Sequence, residues 1–515
     1  MTSFFDVIAS HADATPDALA LLTEEDGTRS YAELVQRSAA LAAALGKGLG
    51  VGTAERLCVW AVNQPAWAET YLAASAGLFA TVAANPEWTD EEMAFILEHS
   101  ETAVVICDAP LAERAVALSR RLGGVRHVVA IESGGGGVPS GAVAYEELLA
   151  TAPPDPRAVL PEGDDVELPA HIMYTSGTTA GRPKAVVGHI TGSSPIDYQE
   201  MLGLGPAERG IVVTPFFHGN GMGALTSALL YGASVVFPRR FSARRFWRLV
   251  DLYRPTYLWT LAPIVNILLG LPPGPHERRH GMRAGVVLGA ASAAGLIEER
   301  FGFAVIDWYG MTEAGMGTYT RLGEERRPGS AGRRFPDSTM TILRDDGTEA
   351  APGEVGEVGF RLGTITFDGY LKDDDATASA VDGQFFRTGD LGYFDADGYF
   401  FFVDRKKDIV RRGGENISSI EIETVMRTFP GVGDAAVVGR PDPVLGERVV
   451  AFVVPGADVL PEPDGVRAHV AAHLAQFKVP EEIVFVDELP RTATGKIIKK
   501  QLRELLPPEA AGPRG

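Results

Sequence analysis

Thr175, Ser176, Thr178 and Thr179 set four hydroxyls around Gly177 in the stretch YTSGTTAGRPKAV (Tyr174–Val186), and Lys184 follows within it. Hydroxyls, backbone N–H groups opened by glycine and a cation are the means by which a loop holds phosphate. The familiar nucleotide loop, in which Gly-Lys is followed by Ser or Thr, is excluded by spacing. Here Gly181 is followed by Arg182, Pro183 and Lys184, and Ala185 stands where the magnesium-binding hydroxyl would be. Further along, DWYGMTE (Asp307–Glu313) gathers aromatic rings, a hydroxyl and two carboxylates. Thr312 and Glu313 offer oxygen donors of the kind Mg2+ takes, an ion that keeps several waters and needs few protein ligands beside substrate phosphates. FRTGDLG (Phe386–Gly392) places Asp390 in an expected turn, where a carboxylate can accept from both hydroxyls of a ribose. DRKKDIVRRGGENI (Asp404–Ile417) is a charged, hinge-like segment entering the Gly413–Gly414 turn, and PRTATGKIIKKQL (Pro490–Leu502) presents Lys496 after a glycine in a tight loop. Taken singly, each stretch also reads as a solvated face, a β-turn or a frayed helix.

These groups need elements to hold them. LPAHIMY (Leu168–Tyr174) is an apolar strand that runs straight into the hydroxyl-rich stretch, and FGFAVI (Phe301–Ile306) leads into DWYGMTE. Strand ends are where α/β proteins gather their ligand sites. Strand and helix patterns alternate, as in RLCVWAV then PAWAETYLAASAGL, and TAVVICD then PLAERAVALSRRL. Such alternation predicts an α/β fold with largely parallel sheets and packed helices. Between 337 and 403 the texture changes to short strands and Gly turns, a β-rich subdomain. From Asp404 onward a small α+β domain is expected, with helices in ISSIEIETVMRTF and DGVRAHVAAHLAQF and strands in GDAAVVG, ERVVAFVVP and EIVFVDEL. The expected organisation is therefore a large N-terminal domain, 1–403, and a small C-terminal domain, 404–515, with a disordered tail after Leu506.

Bulk properties narrow the partners. The 515 residues carry 47 basic and 67 acidic side chains, a net charge of -20, which argues against nucleic acid or an anionic membrane surface as the main partner. Cys58 and Cys107 lie in apolar strand-like runs without metal-ligand spacing, and read as small buried hydrophobes in a reducing cytoplasm. The N-terminus lacks the pattern of a signal peptide. The uncharged run Ile211–Pro238 contains Pro215, His218, Asn220 and several glycines, so it reads as strand, loop, core helix and strand rather than a membrane span.

Taken in order along the chain, the five stretches resemble those of the AMP-forming acyl-CoA synthetases. These belong to the adenylate-forming superfamily, with luciferases and nonribosomal-peptide adenylation domains. The resemblance runs from TRSYAELVQRSAALAAAL (Thr28–Leu45) to TGKIIKKQL (Thr494–Leu502). It implies that ATP and Mg2+ activate a small-molecule carboxylic acid as an acyl-adenylate, and that CoA then takes the acyl group. Thr175, Ser176, Gly177, Thr178, Thr179 and Lys184 match the phosphate loop. The run Asp307, Trp308, Tyr309, Gly310, Met311 and Thr312 matches the adenine and α-phosphate motif, with Gly289, Ala290 and Ala291 on the other side of the base. Glu313 matches the metal ligand, and Asp390 with Arg405 the ribose pair. Lys496 matches the lysine of the adenylation step, Gly413 and Gly414 the thiol tunnel, and Lys407 the hinge about which the mobile C-terminal domain turns.

The same comparison orients the acid pocket. TPFFHGNGMGALTS (Thr214–Ser227) lacks the Asp that clamps an α-ammonium group, so an α-amino acid is not expected. His218 matches the gate between acid pocket and thiol tunnel, and Gly219, Gly221 and Gly223, with Gly188 and Gly192, are expected to leave room for a bulky acid. Aryl, medium-chain and polycyclic acids stay open. So do a carrier-protein thiol in trans as acceptor, a homodimer, and a regulatory nucleotide-binding protein without turnover. The Gly, Ala and Arg content suggests a GC-rich bacterial source and a role in secondary metabolism.

Overall fold

The computed structural model describes residues 3–132, 137–161, 170–174, 183–189, 201–291, 293–335, 338–363, 365, 367–456, 460–492 and 495–506. Thr175, Ser176, Gly177, Thr178 and Thr179, together with Gly192, lie outside the described residues. The chain forms two compact units that exchange segments: Met1–Ser338 with Leu362–Ser379, and Thr339–Arg361 with Ala380–Gly515.

Apolar runs of four to seven residues in the first unit become strands buried on both faces, as RLCVW (Arg56–Trp60) and TAVVICD (Thr102–Asp108) illustrate. Such strands need cover above and below, and parallel pairing with crossover helices supplies it. Among the described residues they make two seven-stranded sheets. One runs in the order Ala304–Ile306, Ala284–Leu288, Tyr257–Leu261, Arg209–Val212, Ser234–Val236, Leu19–Thr23, Gly27–Ser30. It is parallel except for the edge hairpin Leu19–Thr23/Gly27–Ser30. The other runs Val143–Ala144, His127–Ile131, Thr102–Asp108, Arg56–Trp60, Ala80–Ala83, Ala170–Tyr174, Ala185–His189, and only its last pair is antiparallel. The expected α/β class with parallel-rich sheets is the class observed. The run Ile211–Pro238 resolves as expected into the end of strand Arg209–Val212, a loop, helix Gly219–Leu230 and strand Ser234–Val236.

Helix Pro65–Gly77 is buried on every side. Its Trp67, Tyr71 and Leu72 share one core with Val59 of one sheet, Val212 of the other and Leu225 of helix Gly219–Leu230. A single charged side chain in that helix, Glu69, is wholly buried, and its oxygens are all engaged. Oε1 accepts from Arg29 Nε at 3.0 Å and Arg37 Nε at 2.7 Å, and Oε2 accepts from Tyr145 Oη at 2.9 Å. Cys58 and Cys107 are buried free thiols, and burial pushes both up, Cys107 to about 12.

In the second unit, Met340–Leu343, Gly356–Arg361, Phe385–Phe394, Val381–Asp382 and Phe400–Arg405 form an antiparallel sheet. The C-terminal α+β part alternates strictly along its long hairpin, Val432–Asp442 with Gly446–Pro455. Val437, Val449 and Val453 meet Ile422 and Met426 of helix Ser419–Met426 and Val466 and Val470 of helix Pro463–His473. Val438, Val450 and Phe452 face the other way, onto Leu489 and Leu502. That alternation is the period-two signature of a sheet covered on both faces.

Candidate active site

Strands Ala284–Leu288 and Ala304–Ile306 are parallel neighbours in register through Val286 and Ile306. The segments leaving their C-terminal ends therefore meet, Gly289–Ala291 against Asp307. Asp307 Oδ1 accepts from the N–H of Gly289 at 2.8 Å and from that of Trp308 at 2.8 Å. Gly289 takes φ +82°, a left-handed conformation that favours glycine. Asp307 is 1% exposed, and its Oδ2 is buried without a hydrogen-bond partner. Burial raises its pKa to about 6, while the N–H groups of Trp308, Ala290, Gly289 and Ala291 pull the other way. A buried acceptor left open in this manner is costly unless a ligand donor reaches it. Tyr309, also buried, follows on strand Trp308–Met311, which turns back as Gly315–Tyr319. Gly310 is dictated by that hairpin, since a Cβ there would lie 2.2 Å from the Gly315 carbonyl oxygen.

The strand after the phosphate-loop candidate is tied to the same region from another direction. Ala185–His189 lies beside Tyr370 and Leu371, through a bridge from Val186 to Tyr370 and an N–H of Leu371 donating to the Ala185 carbonyl at 2.9 Å. Lys184 Nζ stands 4.5 Å from the centre of the Tyr370 ring, and the Tyr370 hydroxyl donates to Glu313 Oε1 at 3.0 Å. Burial, then the charge of Glu313, pushes the phenol pKa up and keeps it a donor. Glu313 is itself buried. A single buried carboxylate is a donor set that fits Mg2+, which completes its shell from waters and phosphate oxygens.

Helix Gly219–Leu230 starts directly after His218, whose ring lies 4.6 Å from that of Phe217. A side chain at Gly219 would point toward Met173 Cε, 3.7 Å from its Cβ, and Thr312 Oγ1, at 4.0 Å, and Gly223 opens onto free space. Gly221 departs from expectation. Its Cβ would fall 2.2 Å from the Pro215 carbonyl oxygen and 2.7 Å from the Pro215 carbonyl carbon, so this glycine admits the neighbouring backbone and lines no pocket. Gly188 likewise yields its space to a neighbour, the His171 ring at 2.8 Å. Burial holds His171 down at about 4, so its imidazole is neutral.

In the second unit Asp390 lies inside strand Phe385–Phe394, not in the turn expected. Gly389, at φ +74°, and a break in register around it, between Arg387 and Leu391, give the turn-like sequence its place within a strand. Asp390 pairs across the ladder with Arg405, Oδ1 to Nε 3.3 Å. Buried Glu357 fixes the approach to Asp390, accepting from Gly389 N at 3.0 Å, Arg387 Nη1 at 3.1 Å and Lys406 Nζ at 3.1 Å. Lys407 occupies the turn after Arg405, where its carbonyl accepts from Arg503 Nη2 at 3.4 Å and Asp408 pairs with the same guanidinium at 2.9 Å. Gly413 and Gly414 form a two-residue hairpin turn at φ +60° and +89° between Val410–Arg412 and Glu415–Ile417, with open space around both. Lys496 is exposed on a tight turn in which its carbonyl accepts from Thr492 N at 2.8 Å.

The profile described as AMP-binding enzyme matches residues 8–371, and that of the AMP-binding enzyme C-terminal domain matches 421–496. The chain belongs to the AMP-forming acyl-CoA synthetases of the adenylate-forming superfamily. It is 33% identical to a sulfoacetate–CoA ligase of Cupriavidus necator over 96% of each chain. It is 34% identical to the 3-[(3aS,4S,7aS)-7a-methyl-1,5-dioxo-octahydro-1H-inden-4-yl]propanoyl:CoA ligase of Mycobacterium tuberculosis, over 95% of this chain and 96% of that one. Among solved structures it resembles ATP-bound MatB from Rhodopseudomonas palustris, with TM-score 0.86 and 27% identity over 98% of this chain and 99% of that one.

Two residues that the sequence did not single out lie against the expected site residues. Tyr370 and Glu357 bear no motif of their own, and only the pairing of distant strands brings them to Glu313 and Gly389. No helix among the described residues is long and apolar enough to cross a membrane.

Proposed function

We propose that this synthetase activates a bulky or aryl carboxylic acid, without an α-amino group, as its adenylate and transfers the acyl group to CoA. One acid oxygen attacks the α-phosphorus of ATP, pyrophosphate leaves, and the CoA thiol then displaces AMP from the acyl carbon. The reading rests above all on Asp307, a buried carboxylate with one oxygen holding Gly289 and the other open to a donor such as the adenine amino group. Tyr309 stacks on the base, Thr312 contacts the α-phosphate, and the ribose is the ligand of Asp390 and Arg405. Thr175–Thr179 and Lys184 take the outer phosphates. Mg2+, when bound at Glu313, neutralises phosphate charge, with the Tyr370 hydroxyl orienting the carboxylate. Lys496 serves adenylation and the Gly413–Gly414 turn serves thiol transfer, so the domain 404–515 exchanges the two by turning at Lys407. These substrates meet in the cytoplasm. The test is pyrophosphate release across a library of carboxylic acids, with CoA or with a phosphopantetheinylated carrier protein. Release dependent on an acid and thioester formed on CoA support the reading, whereas acyl transfer to the carrier alone favours a loading enzyme.

The Asp307 assignment carries a pH signature. Its folded-state pKa is raised, so what this group contributes to stability without nucleotide is fully present in acid and lost as pH rises through about 6. An adenine donor favours the ionised form and reverses the demand. Adenosine affinity should therefore be flat above about pH 7 and fall by roughly tenfold per unit well below pH 6. Titration calorimetry with adenosine, which has no phosphate to titrate, reads this directly, and an affinity that does not vary with pH removes Asp307 from the base.

The acid pocket makes its own prediction. Gly219→Leu should fill the space toward Met173 and Thr312, at a cost on the order of 1–3 kcal/mol where a large acid must overpack it. The ratio of kcat/KM between benzoate-sized and polycyclic acids should then shift by roughly ten- to a hundredfold toward the small ones. A uniform loss across sizes would show instead that Gly219 serves the helix start.

A further inference from the structure

We infer that Asn63 is a positioning residue for His218, and therefore for the acid site, a reading that rests on the function proposed above. Asn63 follows strand Arg56–Trp60 of one sheet, and the loop that carries His218 follows strand Arg209–Val212 of the other. The Asn63 side chain is 3% exposed and spans that gap with both ends of its amide. Nδ2 donates to the Thr214 carbonyl at 3.0 Å, and Oδ1 accepts from the Phe216 N–H at 2.8 Å. Donating to one residue and accepting from the residue two further on is what a parallel strand does for its neighbour. The amide thus adds a rung of sheet to a stretch that has left its own sheet.

Two other groups on Thr214–His218 are held as well, so the amide acts on a loop that is already fastened. The Thr214 hydroxyl donates to Asn220 Oδ1 at 2.9 Å, and the His218 N–H donates to the Pro215 carbonyl at 3.2 Å. Gly221 lets that same carbonyl press against the helix, as its 2.2 Å Cβ clearance requires. Asn63 is steadied in turn from the neighbouring strand Thr102–Asp108, whose Asp108 Oδ2 accepts from the Val62 N–H at 3.0 Å and Oδ1 from the Gln64 amide. A chain of contacts therefore runs from Asp108 to Val62 and Gln64 on either side of Asn63, and from Asn63 to Thr214 and Phe216, which precede His218 and Gly219.

The test compares the parent with Asn63→Leu, which keeps the bulk and removes both bonds, and Asn63→Asp, which keeps only the acceptor. Amide hydrogen exchange over Thr214–Gly219 should quicken in Asn63→Leu, with Asn63→Asp between it and the parent. The kcat/KM for the acid should fall by about ten- to a hundredfold, as misplacement of about 1 Å near reacting groups does, while the KM for ATP stays within about twofold. Unchanged exchange at Phe216, or an equal loss for acid and ATP, overturns the inference and leaves Asn63 as ordinary packing. If Asn63→Leu does not fold, Asn63→Asp carries the same comparison. If the parent activates no acid, the functional reading fails, and the exchange measurement still decides whether Asn63 holds the loop.

Discussion

Lys496→Ala is expected to cut acyl-adenylate formation by roughly a hundred- to a thousandfold, the loss that follows removal of one charge-stabilising donor from a preorganised site. Two anions, the acid and the α-phosphate, must approach each other in that step, and a lysine between them offsets the repulsion. Lys496 is exposed on its turn, where Thr492 N donates to the Lys496 carbonyl, Lys496 N donates to the Thr492 hydroxyl and the Arg491 guanidinium donates to the Gly495 carbonyl, bonds that Lys496→Ala leaves in place. The substitution should leave the fold intact. Thiolysis of a supplied acyl-adenylate should proceed near the parental rate, because the Gly413–Gly414 turn is untouched. Pyrophosphate release and single-turnover thioester formation separate the two steps, and adenylate formation at parental speed would remove Lys496 from the chemistry.

Glu69→Ala should lower stability by roughly 3–5 kcal/mol, the cost of leaving buried opposite charges without their partner. The carboxylate is wholly buried, with both arginines about three-quarters covered. Removing it leaves Arg29 Nε and the Tyr145 hydroxyl without their acceptor and takes one of two carboxylates from Arg37, which keeps Glu146, and it loosens helix Pro65–Gly77 against its neighbours. The companion triple variant, with Glu69→Leu, Arg29→Met and Arg37→Met, should recover much of the loss, since apolar side chains of similar volume often replace a buried ion cluster without penalty. Thermal and urea unfolding of the parent and both variants measures this. A Glu69→Ala protein that melts with the parent would show that water, not Glu69, satisfies those groups.

Strand and helix periodicity made the α/β class legible, because a strand buried on both faces has to be a continuous apolar run. RLCVW and TAVVICD are such runs, and each became a central strand. Motif order made the family legible. What could not be read was the geometry created by pairing across long separations. FDGYLKD gives no hint that Tyr370 will lie against Glu313, 57 positions away, nor does AVNQPAW announce that Asn63 will bond Thr214 and Phe216. Glycine was the most misleading residue type. Gly219, Gly221 and Gly223 look equivalent in sequence, yet one faces Met173 and Thr312, one receives a carbonyl and one opens on empty space. Asp390 misled in the same way, because a Gly389 at positive φ gives a strand the composition of a turn.

The exchange of segments between the two compact units bears on how the protein is made. The first unit is interrupted after Ser338 and resumes only with Leu362–Ser379. During synthesis, the residues up to Ser338 are joined before the segment that carries Tyr370 exists. Until then strand Ala185–His189 keeps the bridge position at Val186 unfilled, an open edge of the kind that invites pairing with another chain. Glu313 meanwhile waits for the hydroxyl that orients it. A chain cut short anywhere before Tyr370 therefore lacks both the bridge to Val186 and the hydroxyl that bonds Glu313, so the first unit is complete only once the resumed segment has been made.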